Sequence, residues 1–300
     1  MKKKNGFLSS IDRGIVFMLG SAIISAMNGA IAKILGDEMS ALEIVFFRNM
    51  IGVALILFAL YHTPPTLPGG RLHMLLLRGF FGFAAMILFF YTITTIPLGE
   101  AITLNKTSPL FVAILAFIIL GEKLTIYSIL ALIIGFSGVV MITQPVGLHI
   151  TYDHFLGLLG GFFAACAYTT IKTIRDIYDT RIIVLSFVGI GTIIPLLLFC
   201  IAPFIEVPSY LSFLFPKFIF PSTISSWALI AFMALISTLS QWLLTKAYSL
   251  GRAGIIGVVS YTNIPFAIGF GIMLGDSLPN LFGWIGICMI IFAGLLLKKG

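Results

Sequence analysis

Residues 97–124 read PLGEAITLNKTSPLFVAILAFIILGEKL. This is an apolar stretch of membrane-crossing length whose first half is interrupted. Thr103, Asn105, Lys106, Thr107 and Ser108 fall within two turns and Pro109 follows. A proline inside a helix donates no backbone hydrogen bond and displaces the carbonyl four residues back, here that of Asn105. Hydrocarbon satisfies neither a free carbonyl nor an ammonium, so the polar half must face protein or a wet cavity. The chain repeats the device at residues 254–275, GIIGVVSYTNIPFAIGFGIMLG, where Ser260, Tyr261, Thr262 and Asn263 lead into Pro265. There the freed carbonyl is that of Tyr261.

Working outward, the rest of the 300 residues is of the same kind. Hydrophobic residues make up 59% and charged residues 10%, against about 25% charged in ordinary globular domains. This predicts an all-α polytopic membrane protein. Apolar runs of about 20 residues divide it into ten spans, near 14–35, 43–61, 73–95, 100–120, 124–143, 155–174, 182–203, 226–248, 254–274 and 279–297. Residues 204–225, rich in proline and aromatics, are expected to lie in the outer interface, with a lid over an entrance as the alternative.

The net charge of +7 does not point to nucleic acid. Placed on these spans, fourteen of the 18 basic residues fall on one side, among them Lys2, Arg71, Arg78, Lys172, Arg252 and Lys299. That asymmetry predicts cytoplasmic N- and C-termini. The three cysteines, Cys166, Cys200 and Cys288, sit in apolar runs without metal or disulfide spacing.

Ten spans divide into two sets of five, and an odd number per set requires the second to enter the membrane inverted. Echoes occur in the same order along both halves. AMNGAIAK, ending at Lys33, matches ACAYTTIK, ending at Lys172; Tyr91 leads into PLGEA as Tyr248 leads into SLGRA. Leu120-Gly121-Glu122 matches Leu274-Gly275-Asp276. The expected units are residues 1–143 and 154–300, joined by 144–153. Paired, proline-interrupted spans at corresponding positions mark the central site of a carrier.

These features resemble the drug/metabolite transporter superfamily in its bacterial EamA branch. The resemblance rests on the duplicated five-helix unit, Phe46-Phe47-Arg48, Leu77-Arg78-Gly79, the turn Ile96-Pro97-Leu98-Gly99-Glu100-Ala101, and Leu120-Gly121-Glu122. It spans essentially the whole chain. The Phe-Phe-Arg and Leu-Arg-Gly stretches also look like the subgroup that includes S-adenosylmethionine carriers of intracellular bacteria. The resemblance implies a bacterial inner-membrane carrier with a cavity lined by spans 1, 3, 4, 6, 8 and 9.

Candidate cavity residues are Asn28, Tyr91, Asn105, Lys106, Tyr168, Gln241, Trp242, Tyr261 and Asn263. Lys106 leads because a buried ammonium needs a role; its bland alternative is a lysine that snorkels to water. Glu100 does not share its face, since six residues turn a helix by about 240°. Lys33 and Lys172 are gate candidates or snorkelling residues at helix ends. Arg48 is expected to pair with Glu43, Asp37 or Glu38 at the outer surface, or else to touch substrate. Glycine pairs such as Gly79 with Gly82 and Gly135 with Gly138 are expected to allow close helix approach.

No phosphate loop, zinc-protease helix or nucleophile elbow occurs. The expectation is therefore no enzyme, no catalytic residue, no metal and no cofactor. The cargo is expected to be a small organic molecule: amino-acid-like, nucleoside-like or carboxylate-bearing. A drug or cationic-amine exporter is the alternative, disfavoured because the spans hold no deep acid; a membrane enzyme or an assembly subunit is a rival of another class. Beyond cargo, the partners are lipid and a coupling ion or counter-solute, with the protein a monomer or homodimer.

Overall fold

The computed structural model describes residues 2–36, 38–95, 102, 104–143, 151–273 and 278–296. Within them the chain is helical throughout, with no strand. The helices are α1 (Lys2–Leu35), α2 (Ala41–His62), α3 (Leu72–Thr95), α4 (Ser108–Leu120), α5 (Ile126–Thr143), α6 (Tyr152–Ile174), α7 (Thr180–Ile201), α8 (Ile224–Leu250), α9 (Ala253–Val259), α10 (Asn263–Met273) and α11 (Leu281–Leu296). A 3-10 turn, Ser260–Thr262, joins α9 to α10.

Among the described residues, seven helical segments are long and apolar enough to cross a membrane, and α4, α5 and α11 are shorter apolar helices. Large apolar side chains cover the outside: Phe117 is 59% exposed and Ile118 69%. In water such a face is a liability, whereas in lipid it is the solvated surface. The protein is an integral membrane protein.

Helix starts follow local chemistry. Ser40 opens α2 with a capping box, its hydroxyl accepting the Glu43 N–H while the Glu43 carboxylate accepts the Ser40 N–H at 2.8 Å. Such a cap is worth about 1 kcal/mol. Asp179 and Thr223 cap α7 and α8 more simply, their side-chain oxygens accepting the Arg181 and Ser226 N–H. Gly121 ends α4 with φ +64°, a left-handed conformation that only glycine adopts freely.

The helices pair as follows: α3 with α6, α1 with α8, α5 with α11, α2 with α7, α3 with α7, α2 with α8, α4 with α6, α1 with α10, and α4 with α9. Small residues sit at the closest crossings. Gly79 abuts the Ser186 carbonyl and Gly135 the ring of Tyr261. Gly138 and Gly286 face each other, so a Cβ added to either would lie 2.7 Å or less from the other's carbonyl oxygen.

Residues 204–225 do not form a span. They carry one end of the 3-10 turn Ala202–Phe204 and all of Ser209–Leu214, and they are held against α2. Phe218 packs on Phe46, Phe47 and Phe199. Both Glu43 oxygens are used, one on Ser40 and the other on the Ile219 N–H.

Candidate functional site

The two interrupted stretches meet. The first expectation, a continuous helix from about residue 100 kinked by proline, is corrected by the structure. The chain is helical at Leu104 and Asn105, turns at Lys106 and Thr107, and restarts at Ser108. Pro109 thus lies in the first turn of α4, where a missing N–H costs nothing. Leu104, not Asn105, supplies the carbonyl bonded by the Thr107 amide at 3.1 Å and the Thr107 hydroxyl at 2.5 Å. Gly157 and Gly161 of α6 make room for this turn: a Cβ on Gly161 would lie 2.9 Å from the Leu104 oxygen. In the second stretch the 3-10 turn precedes Pro265. The carbonyl of Tyr261 is not left free there, because the Asn263 N–H turns to it and to that of Ser260.

A polar bridge joins the two breaks. Lys106 Nζ donates to Asn263 Oδ1 at 3.2 Å, and Asn263 Nδ2 donates to the Ala22 carbonyl of α1 at 2.9 Å. Pro109 packs beside Gly257 of α9, within 3.2 Å of where a Cβ would stand. Lys106 therefore points inward to a neutral partner rather than snorkelling. Glu100 lies outside the described residues.

A second group centres on Tyr168, whose ring stacks on Tyr248 at 4.8 Å and 12°. Trp242 meets Phe17 edge-on at 5.9 Å and packs on the cluster around Phe187. Tyr261 is fully buried against Gly135 and Ala293, its hydroxyl without a partner among the described residues. Asn28 is buried on α1, and Gln241 and Asn105 are half-buried. Tyr91 is not central: it donates to Asp153 at 2.6 Å where α3 ends and α6 begins, under the ring of Phe213.

The charged residues are held differently from the expectation. Arg48 makes no surface ion pair with Glu43 or Glu38. It is buried, with Nε and Nη2 on Asn49 Oδ1 at 3.3 and 3.2 Å and Nη2 on Met86 Sδ at 2.7 Å. Glu38 accepts from Ser226 instead; Asp37 lies outside the described residues. Lys172 does not reach out to water. Its ammonium lies 3.6 Å from Glu122 and donates to the Gly251 carbonyl, while Glu122 accepts the Ala253 N–H at 2.9 Å. Arg175 and Arg252 donate to the Ser249 and Lys123 carbonyls nearby. Of Lys33 only the backbone, in α1, is described.

Arg78, counted above among the basic residues of one side, is 1% exposed. The missed signal was its position six residues inside an apolar run, where a charge is costly. Arg48, Arg78 and Lys106 thus place three cations in the interior with no carboxylate bonded to them among the described residues. Among the described residues no group of three His, Cys, Asp or Glu side chains is placed to hold a metal ion.

Residues 12–144 match the model of the EamA-like transporter family. An uncharacterized transporter of Helicobacter pylori is 31% identical over 95% of this chain and 94% of its own. The pseudopaline exporter of Pseudomonas aeruginosa is 30% identical over 97% and 98%. An S-adenosylmethionine uptake transporter of Rickettsia felis is 31% identical over 47% and 48%. One crystal structure of a protein superposes with a TM-score of 0.73 at 15% identity, covering 97% of this chain and 96% of that one, a likeness of fold.

Proposed function

The chain belongs to the EamA-like transporter family, and from there we propose that it is a secondary carrier moving a small organic metabolite by alternating access. The observation that carries this reading is the bridge between the two helix breaks, Lys106 to Asn263 to the Ala22 carbonyl. Broken helices that meet at mid-bundle are where carriers hold cargo.

The helix pairing supports two inverted five-helix repeats. Count α9 and α10 as one span and exchange each span with the one five further on. The pairing of α3 with α6 then becomes that of α8 with α1, and α2 with α8 becomes α7 with α3. The pairing of α4 with α6 becomes that of the ninth span with α1, while α2–α7, α5–α11 and α4–α9 map onto themselves. With the basic asymmetry, this favours both termini in the cytoplasm and residence in a bacterial inner membrane. Rocking of the halves would open the end closed by Lys172 and Glu122.

The relatives named as a pseudopaline exporter and an S-adenosylmethionine uptake transporter move small molecules in opposite directions by name. For this chain, an amino-acid-like, nucleoside-like or carboxylate-bearing cargo fits the cationic interior, and an ion or counter-solute gradient supplies any uphill work. Counterflow in proteoliposomes loaded with amino acids, nucleosides or S-adenosylmethionine tests the reading. Saturable accumulation of tracer is expected; a folded protein that accumulates none of them would sink this choice of cargo.

A further inference from the structure

Among the described residues, four buried side-chain polar atoms have no hydrogen-bond partner: Arg78 Nε, Thr169 Oγ1, Thr245 Oγ1 and Tyr261 Oη. Arg78 is the charged one of the four. Its guanidinium stands over the Phe187 ring, Cζ to centroid 5.3 Å, and the Tyr168 phenol is its electrostatic neighbour. Gly82, one turn along α3, leaves the space: a Cβ there would come within 2.5 Å of Arg78 Nη1 and 2.7 Å of the Phe187 ring. No carboxylate among the described residues neutralises it. A cation–π contact offsets only part of what burying a guanidinium costs. A hydrophobic side chain would fill this place without that penalty, so the missing counter-charge is to be sought outside the chain.

We propose that Arg78 is a cargo-binding residue that receives the carboxylate of a small organic anion, with the Tyr168–Tyr248 stack beside it as the platform for the rest of the molecule. The proposal rests on the carrier reading and narrows it to anionic or zwitterionic cargo. The planar fork of arginine takes a carboxylate through two parallel hydrogen bonds, and Arg78 presents an unbonded Nε for one of them. Lysine supplies a point charge instead.

The test uses purified full-length protein in phosphatidylcholine nanodiscs. The probes are matched pairs: amino acids and their carboxamides, benzoate and benzamide, S-adenosylmethionine and its decarboxylated form. At least one carboxylate should raise the melting temperature where its carboxylate-free counterpart does not. Arg78→Gln should abolish that shift, and Arg78→Lys should weaken binding about tenfold. Without ligand, Arg78→Met should melt at or above wild type, because an uncompensated charge has been removed. The proposal is overturned by a marked fall in the Arg78→Met melting temperature, by the absence of any carboxylate-specific shift, or by shifts that Arg78→Gln leaves intact. Stabilisation by phosphatidylglycerol nanodiscs that depends on Arg78 and replaces the carboxylate effect would assign the residue to a lipid headgroup and overturn it as well. Counterflow of the same probes separates the two readings. Arg78-independent counterflow of an uncharged compound removes this site and keeps the carrier; Arg78-dependent binding without any counterflow keeps the site and removes the carrier.

Discussion

Lys106 and Asn263 lie 157 residues apart in sequence and 3.2 Å apart in space, so one hydrogen bond joins the two helix interruptions. Asn263 is also tied to α1 through the Ala22 carbonyl. Replacing Asn263 by Leu leaves a half-buried ammonium without its acceptor, which should lower stability by about 1–3 kcal/mol. Lys106→Met in the same background should recover much of that loss, giving a non-additive cycle in thermal unfolding. In counterflow with an identified anionic cargo, Lys106→Ala at unchanged expression should lose at least about tenfold in rate; undiminished transport would refute its role.

Glu122 holds the ends of three elements together: α4, on which it follows, α9 through the Ala253 amide, and α6 through Lys172. On the proposed alternating-access mechanism, opening this end breaks those contacts. Glu122→Gln should therefore shift the population toward a state open at this end by about 1–2 kcal/mol, a factor of roughly 5–30. Alkylation of a cysteine at Ser249 by an impermeant maleimide, with the three native cysteines replaced, measures it. An unchanged rate would mean the cluster is not a closure.

The Gly138–Gly286 crossing predicts a steep steric response. Ala at either position drives a methyl into the opposing carbonyl, at 2.5–2.7 Å before any relaxation, and should destabilise by about 1–3 kcal/mol. Gly189, with nothing within 4 Å of its added Cβ, is the control. Gly189→Ala should be neutral or slightly stabilising, as glycine is unfavourable inside a helix. Equal melting temperatures for Gly286→Ala and Gly189→Ala would contradict the crossing.

Asp179, which caps α7 from outside the span, bonds Arg181 through Nε at 3.1 Å and Nη2 at 2.9 Å. Those side-chain hydrogen bonds hold its carboxyl below the usual carboxylate range. A lowered folded-state pKa gives stability that is fully present above the unfolded value, about 3.9, and is lost as pH falls through the folded one. Asp179→Asn keeps a competent cap and removes the charge. Its melting temperature should fall less than that of wild type between about pH 5 and pH 3; parallel profiles would dismiss the linkage.

The order of the helices was legible in the sequence because it depends on local quantities: run length, proline and capping residues. The interruptions were legible for the same reason, and one polar residue from each, Lys106 and Asn263, is hydrogen-bonded to the other. Partners were not. Arg48 was matched with the acid nearest in sequence, yet five residues turn a helix by about 500°, leaving Glu43 some 140° round the axis. Glu43 spends its oxygens on Ser40 and Ile219 instead. Arg78 counts with the basic residues of one side because it lies only a turn and a half into α3. Only the approach of α7, which brings Phe187 over it, makes the position an interior one. The partners of both arginines are set by contacts between distant elements, although the apolar run before Arg78 already marks a charge there as costly.

One carboxylate, that of Glu43, grips the first turn of α2 with one oxygen and the Ile219 amide with the other. The segment crossing this end of the bundle is therefore not an independent flap. Its amides and those opening α2 belong to one cooperative unit, protected together and released together in hydrogen exchange. Any motion admitting solute past Phe218 must disturb the start of α2 as well, so an exchange experiment on one would read out the other.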